Sequence, residues 1–229
     1  MFSVIRPEHS GPMLEIGAGI GTFSERLLGA GAQPLVLVEP EHACADELRS
    51  RFADNAAVEV VEEMLPDSPT LRARPAGFVY ALCQNVLEHI DDDLGALSLV
   101  VDCLEPGGEM LILVPAHPRL FGRLDVRFGH RRRYTRSTLR ELVAGAGAEV
   151  VSVRAFNLLG IPGWFLACRA PGLDISPRSL RVYEAVLRWW RPVEDALRPP
   201  VGLSYVARVR KPVTSREAAP APEPSLPRR

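Results

Sequence analysis

A strand-like segment at residues 13–17 runs into three glycines at alternate positions, Gly17, Gly19 and Gly21. Glycine lets the backbone turn sharply, and it lets a ligand come close to main-chain N–H groups. The dinucleotide-binding fingerprint requires its third glycine one position later, where Thr22 stands. The pattern therefore favours a cofactor that has no pyrophosphate. A turn that only packs tightly is the alternative.

An acidic residue stands where a second strand is predicted to end. Glu39 closes the apolar segment 34–39 and lies 18 residues after Gly21. A carboxylate at this position can accept hydrogen bonds from both hydroxyls of a ribose. We therefore predict that Glu39 holds the sugar of a nucleoside cofactor, and a solvated glutamate at a strand end is the alternative.

Residue types that bind metal ions are present, but their spacing is not that of a ligand set. The run Asp91–Asp93 follows His89, and Asp91 is predicted to cap the next helix. We predict no metal site. Scattered thiols in apolar stretches indicate free cysteines in a reducing cytosol: Cys44, Cys83, Cys103 and Cys168.

The elements that must position these residues alternate between apolar strands and helices. Such alternation is typical of a parallel sheet that is covered on both faces, as in α/β folds. Strands are predicted at residues 13–17, 34–39, 57–61, 77–83, 110–114, 149–156 and 202–209, with helices at 22–28, 41–52, 92–104 and 138–144. The segment 106–108 is predicted to be a turn before the fifth strand.

Three parts of the chain differ in composition. Residues 1–156 and 201–210 are predicted to form the core, and residues 157–200 a helical insertion that serves as a lid or acceptor-side element. Residues 211–229 are rich in Pro, Ala and Ser and are predicted to be disordered. An apolar stripe in the insertion predicts an amphipathic helix, or alternatively a membrane-surface helix: Leu180, Tyr183, Leu187 and Trp190.

Two further motifs complete a recognisable set. Residues 85–89, Asn-Val-Leu-Glu-His, follow the fourth strand, and residues 104–108, Leu-Glu-Pro-Gly-Gly, precede the fifth. With the glycine turn and Glu39, their order and spacing resemble the class I S-adenosylmethionine-dependent methyltransferases. The resemblance covers about residues 11–156 and 202–209, and residues 114–134 resemble a bacterial small-molecule subgroup. It implies a Rossmann-like, doubly wound, three-layer α/β/α fold whose seven strands are mostly parallel, with an antiparallel last strand.

The resemblance also implies roles for individual residues. The glycine turn would line the methionine moiety, Glu15 would lie near its amino group, and Glu39 would hold the ribose. Pro40, Glu63 and Met64 would lie near the adenine, and residues 85–87 would face the methyl group. The implied cofactor-binding set for S-adenosyl-L-methionine is Glu15, Gly17, Ala18, Gly19, Gly21, Glu39, Pro40, Glu63, Met64, Asn85, Val86 and Leu87.

The loop after the fifth strand, residues 116–136, is where we expect the acceptor, because ligands of open α/β sheets bind beyond the strand C-termini. A hydroxyl or amine acceptor often requires a base as well as alignment. His130 is the first candidate base and His117 the second, while Tyr134 and Asp125 are candidates for orienting the substrate. A structural hydrogen bond that fixes the loop is the alternative role for His130.

Composition limits the partners that we expect. Lys and Arg number 27 against 28 Asp and Glu, a net charge of −1, which argues against a nucleic-acid partner. The run Arg131–Arg133 suits either an acidic acceptor or internal salt bridges. The N-terminus lacks a signal-peptide pattern, and no apolar stretch is long enough for a membrane span. We expect a cytoplasmic monomer or homodimer, with peripheral membrane contact as a minor alternative, that methylates a small molecule.

Two other functions stay open at this stage. One is a catalytically silent, methyltransferase-like module that binds cofactor or a partner protein, favoured by the short segment of about a dozen residues before the first strand. The other is a nicotinamide-dependent oxidoreductase, against which Thr22 counts because it stands in place of the third fingerprint glycine.

Overall fold

The computed structural model describes residues 10–169 and 177–213. The strands are β1 (Gly11–Ile16), β2 (Ala32–Val38), β3 (Val58–Val61), β4 (Phe78–Gln84), β5 (Leu104–Pro115), β6 (Glu149–Phe156) and β7 (Ser204–Arg210). They form one sheet in the order β3-β2-β1-β4-β5-β7-β6. All neighbouring pairs from β3 to β5 are parallel, and β7 lies antiparallel between β5 and β6. The predicted seven-stranded Rossmann-like fold is confirmed.

Helices cover both faces of this sheet. They are α1 (Ser24–Gly29), α2 (His42–Arg51), α3 (Pro69–Arg72), α4 (Asp93–Cys103), α5 (Arg123–Arg127), α6 (Arg136–Gly145), α7 (Gly160–Arg169) and α8 (Pro177–Leu197). Successive residues of a strand point to opposite faces. Leu14 of β1 therefore belongs to the apolar cluster under α4 and α6, whereas Met13 belongs to the cluster under α1 and α2. The side chain of Glu15 shares the second face.

The fifth strand begins earlier than predicted. β5 starts at Leu104 and includes residues 106–108, which were predicted to be a turn. The left-handed φ of +84° at Gly107 makes a local irregularity within the hydrogen-bonded strand. Glycine adopts this conformation without the cost that a Cβ atom would add, so the strand continues through it.

The cap of α4 also differs from the prediction by one residue. The carboxylate of Asp92 accepts a hydrogen bond of 2.8 Å from the N–H of Gly95, which makes Asp92 the N-cap. Asp91, the predicted cap, forms an ion pair with Arg131. The sequence alone could not separate these neighbours, because any aspartate in this run suits a helix N-terminus.

The last strand ends beside the start of β5, where Arg210 is opposite Glu109. The next residue, Lys211, extends its amino group to the end of α4. Its Nζ donates hydrogen bonds of 3.1 Å and 2.8 Å to the carbonyl oxygens of Asp102 and Leu104. A cation at a helix C-terminus stabilises the last carbonyl groups, so Lys211 holds the end of β7 in place.

Residues 157–200 contain α7 and α8. The N–H of Leu158 donates a hydrogen bond of 2.7 Å to the buried Glu194, and Trp189 is 83% exposed. The side chains of Leu180 and Tyr183 in the predicted stripe, and residues 214–229 of the predicted tail, lie outside what the structure describes. Within the described ranges, no helix is both long and apolar enough to cross a membrane. The division into core, insertion and tail stays a prediction.

Candidate functional site

The glycine turn connects β1 to α1 and packs against Val86, which follows β4. Gly17, Gly19 and Gly21 have left-handed φ values of +69°, +55° and +83°. The N–H of Gly17 donates to the carbonyl oxygen of Val38 at 2.8 Å, and a Cβ atom on Gly17 would lie 2.4 Å from a methyl group of Val86. A Cβ atom on Gly19 would meet nothing within 4 Å. The turn is therefore packed on one side and open on the other.

Glu39 follows the end of β2, and its carboxylate turns towards the glycine turn. It accepts hydrogen bonds from the N–H of Gly19 at 2.8 Å and from the N–H of Glu41 at 3.0 Å, and Glu39 is 7% exposed. A carboxylate offers about four lone-pair positions. The two backbone bonds fix its orientation and leave acceptor capacity for hydroxyl groups.

Glu15 lies beneath the turn on the face of α1 and α2. The hydroxyl of Ser24 donates a hydrogen bond of 2.6 Å to its carboxyl group. Burial raises the pKa of Glu15 to about 7, the Ser24 hydrogen bond opposes this rise, and the charge of Glu39 adds to it. Near neutral pH this carboxyl group can therefore gain or lose a proton when a cation arrives.

The neighbouring strands β1 and β4 lie where the strand order of the sheet reverses. β1 is flanked by β2 on one side and β4 on the other, so the chain proceeds outwards in opposite directions from this crevice. Ligands of open α/β sheets bind at such a switch point, beyond the carboxyl ends of the strands. Residues 85–87 follow β4 at the same edge: Asn85 is exposed with a φ of +52°, Val86 contacts Gly17, and Leu87 is buried.

The predicted adenine contacts divide into two groups. Pro40 and Met64 are exposed, with Met64 67% exposed. Glu63 instead accepts hydrogen bonds from the hydroxyl groups of Ser68 and Thr70, at the start of α3. Burial alone would raise the pKa of Glu63, but these hydrogen bonds outweigh burial and lower it. Glu63 thus has partners within its own loop, and its role toward a cofactor stays a prediction.

The loop after β5 is held by a buried aspartate. Asp125 is fully buried, and its carboxylate accepts hydrogen bonds from Nδ1 of His130 at 2.9 Å, Nε of Arg133 at 2.7 Å and the N–H of Gly122 at 2.9 Å. The guanidinium of Arg133 also lies 4.6 Å from the ring centre of Trp164 in α7. Asp125 was predicted only to orient a substrate, and the structure gives it this anchoring set of contacts.

His130 does not face open solvent. Its side chain is 11% exposed, and its ring lies edge-to-face against that of His89, with centroids 4.9 Å apart. Glu88, fully buried, belongs to the same group. Glu88 lies within the motif 85–89, but no role is predicted for it from the sequence. Its position beside His89 was visible in the sequence, whereas the proximity of His130 was not.

The other two catalytic candidates are also enclosed by the protein. Tyr134 donates a hydrogen bond of 2.8 Å to the carboxylate of Asp93, and burial together with this aspartate raises its pKa far above the usual range. Burial and the charges of Arg133 and Arg136 lower the pKa of His117. The Nε2 atom of His117 is buried with no hydrogen-bond partner among the described residues. Both catalytic assignments stay predictions.

The arginine run is engaged in internal salt bridges. Arg131 pairs with Asp91, Arg132 lies 2.9 Å from a carboxylate oxygen of Asp93, and Arg133 pairs with Asp125. Of the two roles that the sequence left open, the structure shows the internal one.

Comparison with known proteins identifies the family of this chain. The methyltransferase domain family matches residues 4–153. The chain belongs to this family. Its fold is that of the class I methyltransferases, as the resemblance predicted.

Solved structures share the methyltransferase fold at low sequence identity. An S-adenosylmethionine-dependent methyltransferase from Mesorhizobium loti aligns with a TM-score of 0.64 at 13% identity, covering 91% of this chain and 94% of that one. The 1,6-didemethyltoxoflavin-N1-methyltransferase of Burkholderia thailandensis, with bound S-adenosylhomocysteine, aligns with a TM-score of 0.55 at 21% identity, covering 92% and 74%. At these identities the likeness establishes the fold alone.

Curated methyltransferases correct one prediction. The ribosomal RNA small subunit methyltransferase A of Synechococcus sp. (strain JA-2-3B'a(2-13)) is 28% identical over 201 residues, 86% of this chain and 61% of that protein. A tRNA U34 carboxymethyltransferase of Pseudomonas aeruginosa (strain LESB58) is 29% identical over 102 residues, 44% of this chain and 31% of that protein. The chain thus spans about three fifths or less of these relatives' lengths. The exclusion of nucleic acid as a partner was wrong, because near-neutral charge does not separate this chain from RNA-modifying relatives.

Proposed function

We propose that this methyltransferase binds S-adenosylmethionine at the glycine turn and that Glu39 holds the ribose hydroxyls of the cofactor. The observation that carries the proposal is the carboxylate of Glu39, fixed by the N–H of Gly19 at 2.8 Å at the switch point of the sheet. Glu39 suits the ribose of the cofactor, because its carboxylate can accept further hydrogen bonds. The space over Gly19 is open to a ligand.

The cofactor supplies an electrophilic methyl group when it is bound, so the protein's main contribution is alignment. Glu15, with its raised pKa, releases a proton and pairs with the amino group of the methionine moiety. The close contact of Gly17 with Val86 closes one wall of the site. Asn85 follows β4 at the same edge, towards the acceptor side.

The acceptor that we propose is a small molecule bound beside the loop 116–136. Because Arg131, Arg132 and Arg133 are occupied by aspartates, this loop does not offer three free guanidinium groups to a phosphate backbone. His130 is not part of this proposal, since Nδ1 is bonded to Asp125 and the ring packs against His89. Its role as a base stays a prediction.

A nucleic-acid acceptor is the second candidate. The observation in its favour is the similarity to a ribosomal RNA methyltransferase along 86% of the chain. Incubation of the protein with methyl-labelled S-adenosylmethionine and either total RNA or a nucleic-acid-free metabolite extract tests the two. Label in the metabolite fraction supports the small-molecule acceptor, whereas nuclease-sensitive label in RNA contradicts it.

The donor site is tested separately by calorimetric titration with S-adenosylhomocysteine. Glu39→Ala is expected to weaken affinity more than tenfold, about 1.4 kcal/mol, because it removes the ribose acceptor. Glu41→Ala is the matched control, since it removes an exposed carboxylate two positions away while keeping the N–H that Glu39 contacts. Unchanged affinity in Glu39→Ala would remove Glu39 from the cofactor site.

A further inference from the structure

A cluster of metal-ligating side chains lies beside the loop that follows β5. One potential ligand atom from each of Glu88, His89 and His130 lies within 4.8 Å of the others. Glu88 and His89 belong to the short helical turn Leu87–His89 that follows β4, whereas His130 lies 42 positions after Glu88. The fold therefore assembles a group that is not local in the sequence.

The burial of the Glu88 carboxyl group without hydrogen-bond partners is a second observation that points to a ligand. Glu88 is 0% exposed, and neither carboxyl oxygen has a hydrogen-bond partner among the described residues. A buried carboxyl group without a partner costs free energy, and buried polar groups are therefore nearly always satisfied. Here the unsatisfied oxygens lie next to two imidazole rings, and a cation placed among the three groups would satisfy them.

The imidazole ring of His130 is oriented as metal ligands usually are. Asp125 accepts the hydrogen bond from Nδ1 of His130 at 2.9 Å, which leaves Nε2 of that ring for an ion. Nδ1 of His89 lies beside Gly129, 3.7 Å from where a Cβ atom on that glycine would stand. Metal-binding histidines commonly make such a second bond to a carboxylate or a backbone carbonyl, which fixes the ring and its tautomer.

We propose that Glu88, His89 and His130 bind a divalent transition-metal ion, with water in the remaining positions. Two imidazoles and one carboxylate form a ligand set used by Zn²⁺ and by non-haem Fe²⁺, whereas Mg²⁺ prefers oxygen ligands. In a tetrahedral site with bonds of about 2.1 Å, ligand atoms lie roughly 3.4 Å apart. The cluster must therefore contract, and the exposed His89 has room to move.

Nearby charges are compatible with a cation at this position. Arg131 and Arg133 are the neighbouring cations, but each is paired with a carboxylate, Asp91 and Asp125 respectively. A second cluster, His42 with Asp46 and Glu62, is fully exposed, and Arg49 already binds both of its carboxylates. We propose no metal ion at that cluster, and it serves as a control.

The test uses the full chain after treatment with a chelator, without cofactor, so that its result does not depend on the donor site. Equilibrium dialysis against Zn²⁺ is expected to give one ion per chain with a dissociation constant below about 10 µM. Co²⁺ is expected to develop a visible absorption band from coordination by nitrogen and oxygen. Failure of wild-type protein to retain one equivalent of Zn²⁺ overturns the proposal.

Variants assign the ion to the cluster. Glu88→Gln keeps the buried volume and removes the charge, and His89→Ala changes an exposed residue, so the second variant remains informative if the first fails to fold. Each folded variant, as judged by circular dichroism, is expected to bind Zn²⁺ at least tenfold more weakly. His42→Ala is expected to bind as the wild type does. Wild-type affinity in His89→Ala, or lost binding in His42→Ala, overturns the assignment.

Discussion

Glu15 shows how a single buried group makes the stability of the fold depend on pH. Its carboxyl pKa of about 7 lies above its ordinary value of 4.5, chiefly because of burial. The folded state therefore holds a proton that the unfolded chain releases between pH 4.5 and 7. The contribution of protonated Glu15 to the free energy of unfolding is fully present below this pH range and is lost as the pH rises through it.

Glu15→Gln is expected to remove this pH dependence. At pH 8 the variant should be more stable than the wild type by up to about 3 kcal/mol, and at pH 5 the difference should be small. Urea denaturation at both pH values measures it. Glu41→Gln, an exposed change of the same type, is the control. Parallel pH profiles for wild type and Glu15→Gln would contradict the assignment.

Two glycines of the turn are expected to differ in their tolerance of a methyl group. In Gly17→Ala the new Cβ atom would lie 2.4 Å from Val86 in a left-handed conformation, so we expect a loss of about 2–4 kcal/mol in unfolding free energy. In Gly19→Ala the new Cβ atom meets nothing within 4 Å, so only the left-handed backbone conformation lowers the unfolding free energy, by about 1–2 kcal/mol. Adding Val86→Ala should restore part of the stability of Gly17→Ala, which urea denaturation would show. Equal losses at the two glycines would refute the contact.

At the scale of elements, the loop between β5 and α6 depends on one buried ion pair. Asp125→Ala leaves the guanidinium of Arg133 buried without its carboxylate, and breaking such a pair costs about 3–5 kcal/mol. Arg131→Ala breaks an exposed pair with Asp91 and is expected to cost about 1 kcal/mol or less. Urea denaturation compares them. Equal effects would show that Asp125 does not anchor the loop.

Local sequence determined the elements better than it determined their contacts. The strand 149–156 and the glycine turn were predicted because apolar runs and glycine spacing are local signals. The cluster of Glu88 with His130 could not be predicted, since it depends on how the loop after β5 packs against the turn after β4. The same tertiary contact paired Arg131 with Asp91, which removed that aspartate from the helix cap.

For the whole molecule, the fold could be predicted but the acceptor could not. The resemblance of four motifs to the class I methyltransferases implied a mostly parallel sheet of seven strands with an antiparallel last strand, and the sheet has this form. The net charge of −1 was a poor guide to partners, because charge is a property of the entire surface and recognition depends on a few side chains.

Ligand binding should stabilise the entire domain if the donor site is assigned correctly. S-adenosylhomocysteine at a hundred times its dissociation constant contributes about 2.7 kcal/mol, which raises the melting temperature by roughly 5–10 °C in a domain of this size. Differential scanning fluorimetry measures the shift. Glu39→Ala at the same ligand concentration should show a smaller shift, and NAD⁺ should show none. A shift with NAD⁺ alone would favour the oxidoreductase.

The antiparallel course of β7 determines where anything joined after it would be placed. Because β7 runs back along β5 and Lys211 secures its end beside α4, the chain leaves the sheet at the edge away from the glycine turn. An affinity handle or fluorescent reporter inserted directly after Val213 would therefore start at the edge of the sheet opposite to the glycine turn. Immobilisation through that position would leave the proposed cofactor site facing the solution.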